Sequence, residues 1–152
     1  MSRVLLSVAA AIMLASASRA SAQAEPNARA IVGMTPEQVQ WFTPPYYTDG
    51  RQRARLIGDS TGDGAWIDRV KIPGNSRVLA HTHPRDELVT VIRGTWYLGA
   101  GARFDPAKLK AYPAGSFIVI PAGVPHFVAT RAGPVIVQLN GTGKFATDYL
   151  EK

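Results

Sequence analysis

From Leu56 onward the chain is cut into short runs by glycine and proline. The β-prone stretches are AWIDRVKI, SRVLAHTH, ELVTVI, TWYLGAG, SFIVI, HFVAT and PVIVQLN, and TGDG, PGN, RG, PAG and AGP punctuate them. Many short strands at this spacing, with almost no helical periodicity, predict an all-β sandwich or barrel. FDPAKLKAY is a longer excursion, read as one helical turn between two groups of strands. Ahead of Leu56 the pattern differs. Thr35-Pro36-Glu37 suits the start of one short helix, because proline fits a first helical turn, and Pro44-Pro45 cannot continue it. Residues 23–55 are expected to form an extended N-terminal arm and first strand region, 56–145 the barrel and 146–152 a C-terminal tail.

Residues 1–22 read as a secretory signal peptide. Arg3 gives a positive start, Val4 to Leu14 an apolar run, and Ala20-Ser21-Ala22 a small-residue site cut after Ala22. The run is shorter than the roughly 20 residues of a membrane span, and one arginine ahead of it does not make a twin-arginine signal. The expectation is a periplasmic or secreted protein with no stable membrane association after cleavage. Cleavage removes Arg3 and Arg19 and no acid, so the net charge falls from +6 to +4. That surplus is small for a nucleic-acid binder, and none is expected as a partner. Its densest part, RQRAR at Arg51 to Arg55, reads as a solvated loop or strand edge. The chain has no cysteine, so neither a disulfide nor a thiolate is available. A packed core must hold the mature chain, and about 130 residues suffice for one.

The chemistry concentrates in HTHPRDELV, His81 to Val89. Side chains two apart on a strand share a face, so His81 and His83 point the same way, with Leu79 and Arg77 along that face. Pro84-Arg85-Asp86 then breaks the strand, since proline cannot supply a ladder N–H, and Glu87 opens the next one. Two neutral imidazoles and a carboxylate can so converge as a 2-His-1-carboxylate site with positions left for solvent or substrate. Downstream, Pro121, Gly123 and Pro125 in PAGVPHF shape a tight turn that presents His126. All three histidines of the chain are used in this way, which leaves none for a Ser-His-Asp arrangement.

These residues resemble the cupin superfamily. Its first motif, G-x5-H-x-H-x3,4-E-x6-G, is met by Gly74, His81, His83, Glu87 and Gly94, with one extra residue after the first glycine. Its second, G-x5-P-x-G-x2-H-x3-N, is met by Gly115, Pro121, Gly123 and His126, with Thr130 in place of the final asparagine. The resemblance implies a jelly-roll β-barrel in which His81, His83, Glu87 and His126 ligate a divalent metal. Such a nitrogen-rich set suits Zn, Mn, Fe, Ni or Cu, and folding after export would favour Zn or Cu by intrinsic affinity. Resemblance to dimeric cupins also implies a homodimer, with the WFTPPYY arm covering a neighbour. Gly94 and Gly115 fall at strand reversals, where a positive φ is no penalty for glycine.

Other residues have less specific readings. Trp96 and Tyr97 are adjacent on a strand, so only one faces the interior, where it packs in the core or lines a pocket against a substrate ring. Phe117 and Phe127 are expected in the core. Gln138 and Asn140 share a face opposite Val135, Val137 and Leu139, and either line a polar pocket or face solvent. Arg77 either binds an anionic group or ends a strand in solvent. The function expected is a small-molecule metalloenzyme, with dioxygenase or another oxidoreductase favoured by family frequency. The alternatives are a metal-dependent isomerase, lyase or decarboxylase, a non-catalytic ligand-binding or sensor cupin, and a metal that only braces the fold. Isomerase or lyase chemistry needs a second titratable group near the metal, and none is assigned from the sequence.

Overall fold

The computed structural model describes residues 31–151; the expected signal peptide at 1–22 lies outside them. Ten strands follow in order: β1 (Gln52–Ile57), β2 (Ala65–Ile72), β3 (Arg77–Thr82), β4 (Glu87–Arg93), β5 (Thr95–Ala100), β6 (Lys110–Pro113), β7 (Phe117–Ile120), β8 (His126–Ala129), β9 (Val135–Thr142) and β10 (Asp148–Tyr149). They form two antiparallel five-stranded sheets, ordered β1-β2-β9-β4-β7 and β10-β3-β8-β5-β6. This is the all-β architecture expected from the punctuation, arranged as the jelly roll that the resemblance implied.

Alternation puts one face of each strand inside. In β2, Trp66, Asp68, Val70 and Ile72 are buried while their neighbours are exposed or half-buried. In β9 the same holds for Val135, Val137 and Leu139, and in β4 for Glu87, Val89 and Val91. These aliphatic positions and Trp96 form one continuous core. The turns work as the glycines predict: Gly94 (φ 79°), between β4 and β5, and Gly115 (φ 91°), before β7, are both left-handed.

Parity corrects one core expectation. In β7, Ile118 and Ile120 point inward, which turns Phe117 outward at 64 % exposure. Phe127 is fully buried as expected, packed under Phe104 at 5.1 Å between ring centroids. A Cβ added at Gly99 would overlap the Phe127 ring, which cannot retreat. Gly99→Val is therefore expected to cost about 1–3 kcal/mol of stability, seen as a lower denaturant midpoint at unchanged slope.

FDPAKLKAY does contain a helical turn, at Pro106–Lys108, where Asp105 Oδ1 accepts from the Ala107 N–H. It then adds β6, which pairs with β5. The helix expected near Thr35 is a single turn, Pro36–Gln38. The arm lies on its own barrel: Val39 is buried, and Phe42 exchanges two backbone hydrogen bonds with Arg53 of β1. Thr130, where the motif has asparagine, is buried and clamps the β2–β3 turn. Its hydroxyl donates to the Pro73 carbonyl at 2.5 Å and accepts from the Ser76 N–H at 2.9 Å.

Candidate metal centre

The histidines reach the interior through an irregularity in β3. Val78 pairs with Val128 and His81 with His126, so three steps along β3 match two along β8. The extra residue is a β-bulge, and it changes which side chains face in. Before it, Val78 lines the interior and Arg77 is exposed, lying over the Phe104 ring at 5.2 Å. After it, His81 and His83 are both buried. The same-face argument therefore holds for the two histidines and fails for Arg77, which is not at the site.

The two turns that carry the motifs are fastened to each other. The Gly123 N–H donates to the His83 carbonyl at 2.9 Å, and the Ala122 N–H donates to Asp86 Oδ1 at 2.8 Å. This brings His126 of β8 against His81, with ring centroids 4.2 Å apart. Candidate ligand atoms of His81, His83 and His126 lie within 4.8 Å of one another, and all three residues are buried. Glu87 joins from one side: its Oε2 is 3.4 Å from His126 Nε2 and 3.6 Å from His83 Nε2.

Each imidazole is oriented by a backbone carbonyl. Nδ1 of His81 meets the Leu79 oxygen at 2.6 Å, that of His83 the Ala146 oxygen at 2.6 Å, and that of His126 the Val124 oxygen at 3.0 Å. A neutral ring donating through Nδ1 keeps its Nε2 lone pair free, which is how metal-binding histidines are usually held. Burial pushes His81 down to about 4, with the neighbouring His126 adding to it, and burial likewise lowers His83. Burial of Glu87 works against its charge, but the adjoining His126 and His83 more than offset this and lower its pKa. His81 and His83 so favour the neutral imidazole and Glu87 the carboxylate, the protonation state a metal requires of its ligands.

That leaves His83 Nε2, His126 Nε2 and Glu87 Oε2 buried and without hydrogen-bond partners. Three acceptors facing one another without a donor are costly. Two ligand atoms each roughly 2.1 Å from a common metal sit roughly 3.0–3.5 Å apart. The observed separations fit a divalent cation, and the three buried histidines form a potential metal site.

The site opens on a cavity of about 50 Å³. Trp96, at 3 % exposure, lines it. Three expected pocket residues do not. Tyr97 faces outward under the Arg131 guanidinium, 4.6 Å from its ring centre. Gln138 and Asn140 lie on the outer face of β9, where Gln138 accepts from Arg69 Nε at 3.2 Å. Instead the wall includes Tyr47, Arg51 and Arg53. RQRAR is thus no solvated edge at its first two arginines, which are only 9 % and 7 % exposed. A signal was present: Arg51 and Arg53 have the same two-residue spacing as His81 and His83. Residues 146–151, expected as a tail, add β10 beside β3 and bring Tyr149 to 5.6 Å from the His81 ring.

By sequence, no family model and no curated protein matches the chain. Solved structures do match it by shape. The polyketide cyclase RemF from Streptomyces resistomycificus superposes with a TM-score of 0.65 at 16 % identity, over 81 % of this chain and 87 % of that one. A cupin-superfamily sugar phosphate isomerase from Silicibacter pomeroyi gives 0.59 at 22 % identity, over 78 % and 81 %. An RmlC-like cupin from Ralstonia eutropha gives 0.58 at 17 % identity, over 76 % and 71 %. Strand order, motif placement and these superpositions agree: the chain has the cupin fold.

Proposed function

We propose that this protein is an exported, mononuclear metal-dependent cupin that converts a small molecule. The observation that carries the reading is the cluster of unpartnered, buried acceptors on His83, His126 and Glu87, beside His81, opening onto a cavity. A divalent metal held by His81, His83, His126 and Glu87 supplies Lewis acidity or activates a bound small molecule. Metal analysis of the purified protein is expected to give one ion per chain, with Zn or Cu favoured by affinity. A protein that stays metal-free and refuses added Zn, Fe and Co overturns the reading.

One residue favours acid–base chemistry over the dioxygenase suggested by family frequency. Tyr47 lines the cavity, and burial raises its phenol pKa although Arg53 and Arg51 pull the other way. A phenol so held is protonated at neutral pH and can donate a proton within the cavity, the second titratable group that an isomerase or lyase needs. The cyclase and the isomerase among the structural neighbours support the same reading. Once a substrate is in hand, Tyr47→Phe should keep its metal and lose turnover by about 100-fold or more. Undiminished turnover without dioxygen supports acid–base work; dioxygen consumed in step with product restores the dioxygenase.

A homodimer belongs to the same proposal. Phe117 and Val119 project from the outer face of the first sheet at 64 % and 50 % exposure, paired across to Thr90 and Leu88. Phe117→Lys is expected to leave stability within about 0.5 kcal/mol and to convert a dimer to monomers, read by light scattering. A monomeric wild type removes the dimer.

A further inference from the structure

We propose that Arg51 and Arg53 form an anion-binding subsite facing the metal centre, so that the molecule taken up is a small carboxylic acid. The proposal rests on the metal-centre reading above and names its substrate class.

Both arginines line the cavity that His81, His83, His126 and Glu87 line, and both are more than nine-tenths buried, at 7 % exposure for Arg53 and 9 % for Arg51. Each is held from behind. Arg51 Nε meets Asp49 Oδ2 at 2.8 Å, and its Nη2 donates to the Tyr149 hydroxyl at 2.8 Å. Its guanidinium also lies 4.3 Å from the centre of the Tyr47 ring. Arg53 Nε donates to Asp68 Oδ2 at 2.8 Å, and its Nη1 to the Tyr46 hydroxyl at 3.3 Å. The Nη2 of Arg53 is buried with no partner.

Arg53 lines the cavity and the fully buried Asp68 does not. The ion pair uses Nε of Arg53 and Oδ2 of Asp68, and it leaves Arg53 Nη2 and Asp68 Oδ1 both buried without a partner among the described residues. Buried donors of a guanidinium are costly when unmatched, and the natural match is a planar oxyanion. Within the wall, two guanidiniums face one carboxylate, Glu87, which is already turned to the imidazoles. Asp49 and Asp68 balance the two guanidiniums from behind, so the positive surplus of the site would come from the divalent metal held against Glu87.

Size narrows the anion. A cavity of about 50 Å³ is far smaller than the pockets of drug-sized ligands. It has no room for a nucleotide or a sugar nucleotide. An acid of a few heavy atoms fits, with its carboxylate on the arginines and its other end toward the histidines.

Calorimetric titration of the full chain, both zinc-loaded and after chelation, tests this with malonate, acetate, acetamide and inorganic phosphate as probes. Two variants carry the comparison: Arg51→Gln, and the double variant Arg53→Met with Asp68→Leu, which removes the cation without stranding its partner. Malonate or acetate should bind the wild type, and each variant should weaken that binding by roughly ten- to hundredfold at unchanged zinc content. Acetamide should show no dependence on the arginines. The proposal is overturned if the wild type binds neither acid, if both variants bind them like the wild type, or if phosphate binds more tightly. If the protein takes no zinc, the metal reading fails alone, and the chelated titrations still decide the arginines.

Discussion

Replacing His83 with alanine is expected to strip the protein of its metal. The ring is buried, its Nδ1 is anchored on the Ala146 carbonyl and its Nε2 faces Glu87 at 3.6 Å. Removing it deletes one of three imidazoles and leaves His81, His126 and the carboxylate around a hole. Losing only a supporting partner of a ligand commonly costs 10–100-fold in metal affinity, so losing the ligand itself should exceed about 100-fold. The effect carries into stability, because a ligand present at about 1,000 times its Kd stabilises the folded state by about 4 kcal/mol. Zinc should therefore raise the melting temperature of the wild type and leave that of the His83→Ala protein unmoved. Full metal occupancy in this variant after dialysis would remove His83 from the ligand set. The metal-free proteins give the control, since their difference reports the lost packing of His83 on Phe145, 4.3 Å away between ring centroids, and the lost hydrogen bond to the Ala146 carbonyl.

Arg53→Met is the second large effect, and it acts on folding before it acts on any ligand. Asp68 has no exposed surface, and its only side-chain hydrogen bond among the described residues is from Arg53 Nε. Without the guanidinium a carboxylate remains buried and unmatched, at a cost of about 3–5 kcal/mol. Adding Asp68→Leu should recover most of that, because replacing a whole buried pair with apolar side chains is often neutral or stabilising. A double-mutant cycle by denaturant titration reads the coupling directly. Equal and additive losses in the two single variants would show that the pair is not coupled.

Much of this was legible in the chain, and the failures share one cause. Alternation and turn residues specify a barrel because each is a local property, and Gly94 and Gly115 sit where positive φ was expected. Parity also placed His81 with His83, since nothing irregular lies between them. It misplaced Arg77 because the bulge falls between it and His81, and a bulge is set by pairing with β8, which the β3 sequence alone does not reveal. Gln138 and Asn140 were correctly set opposite Val137 and Leu139, and only the fold shows that the valine face is the inner one. For Phe117 the same choice went wrong: hydrophobicity suggested the core, and the strand's pairing put Ile118 and Ile120 there instead. RQRAR misled through composition, because a run of arginines usually seeks water. Here Asp49, Asp68 and two tyrosines accept its donors; Asp49 and Tyr46 are near in sequence, but Asp68 comes from the next strand and Tyr149 from β10, and only the fold brings those to the arginines.

The extra residue in β3 has an evolutionary corollary. Leu79 and Ala80, the two residues between Val78 and His81, stand against the single residue Phe127 of β8. A chain one residue shorter there would ladder evenly with β8 and still set His81 opposite His126, two positions after the inward-facing Val78. The bulge thus absorbs a one-codon difference in the spacing between Gly74 and His81 locally, and the ligand set tolerates that change of length without any ligand moving to the outer face.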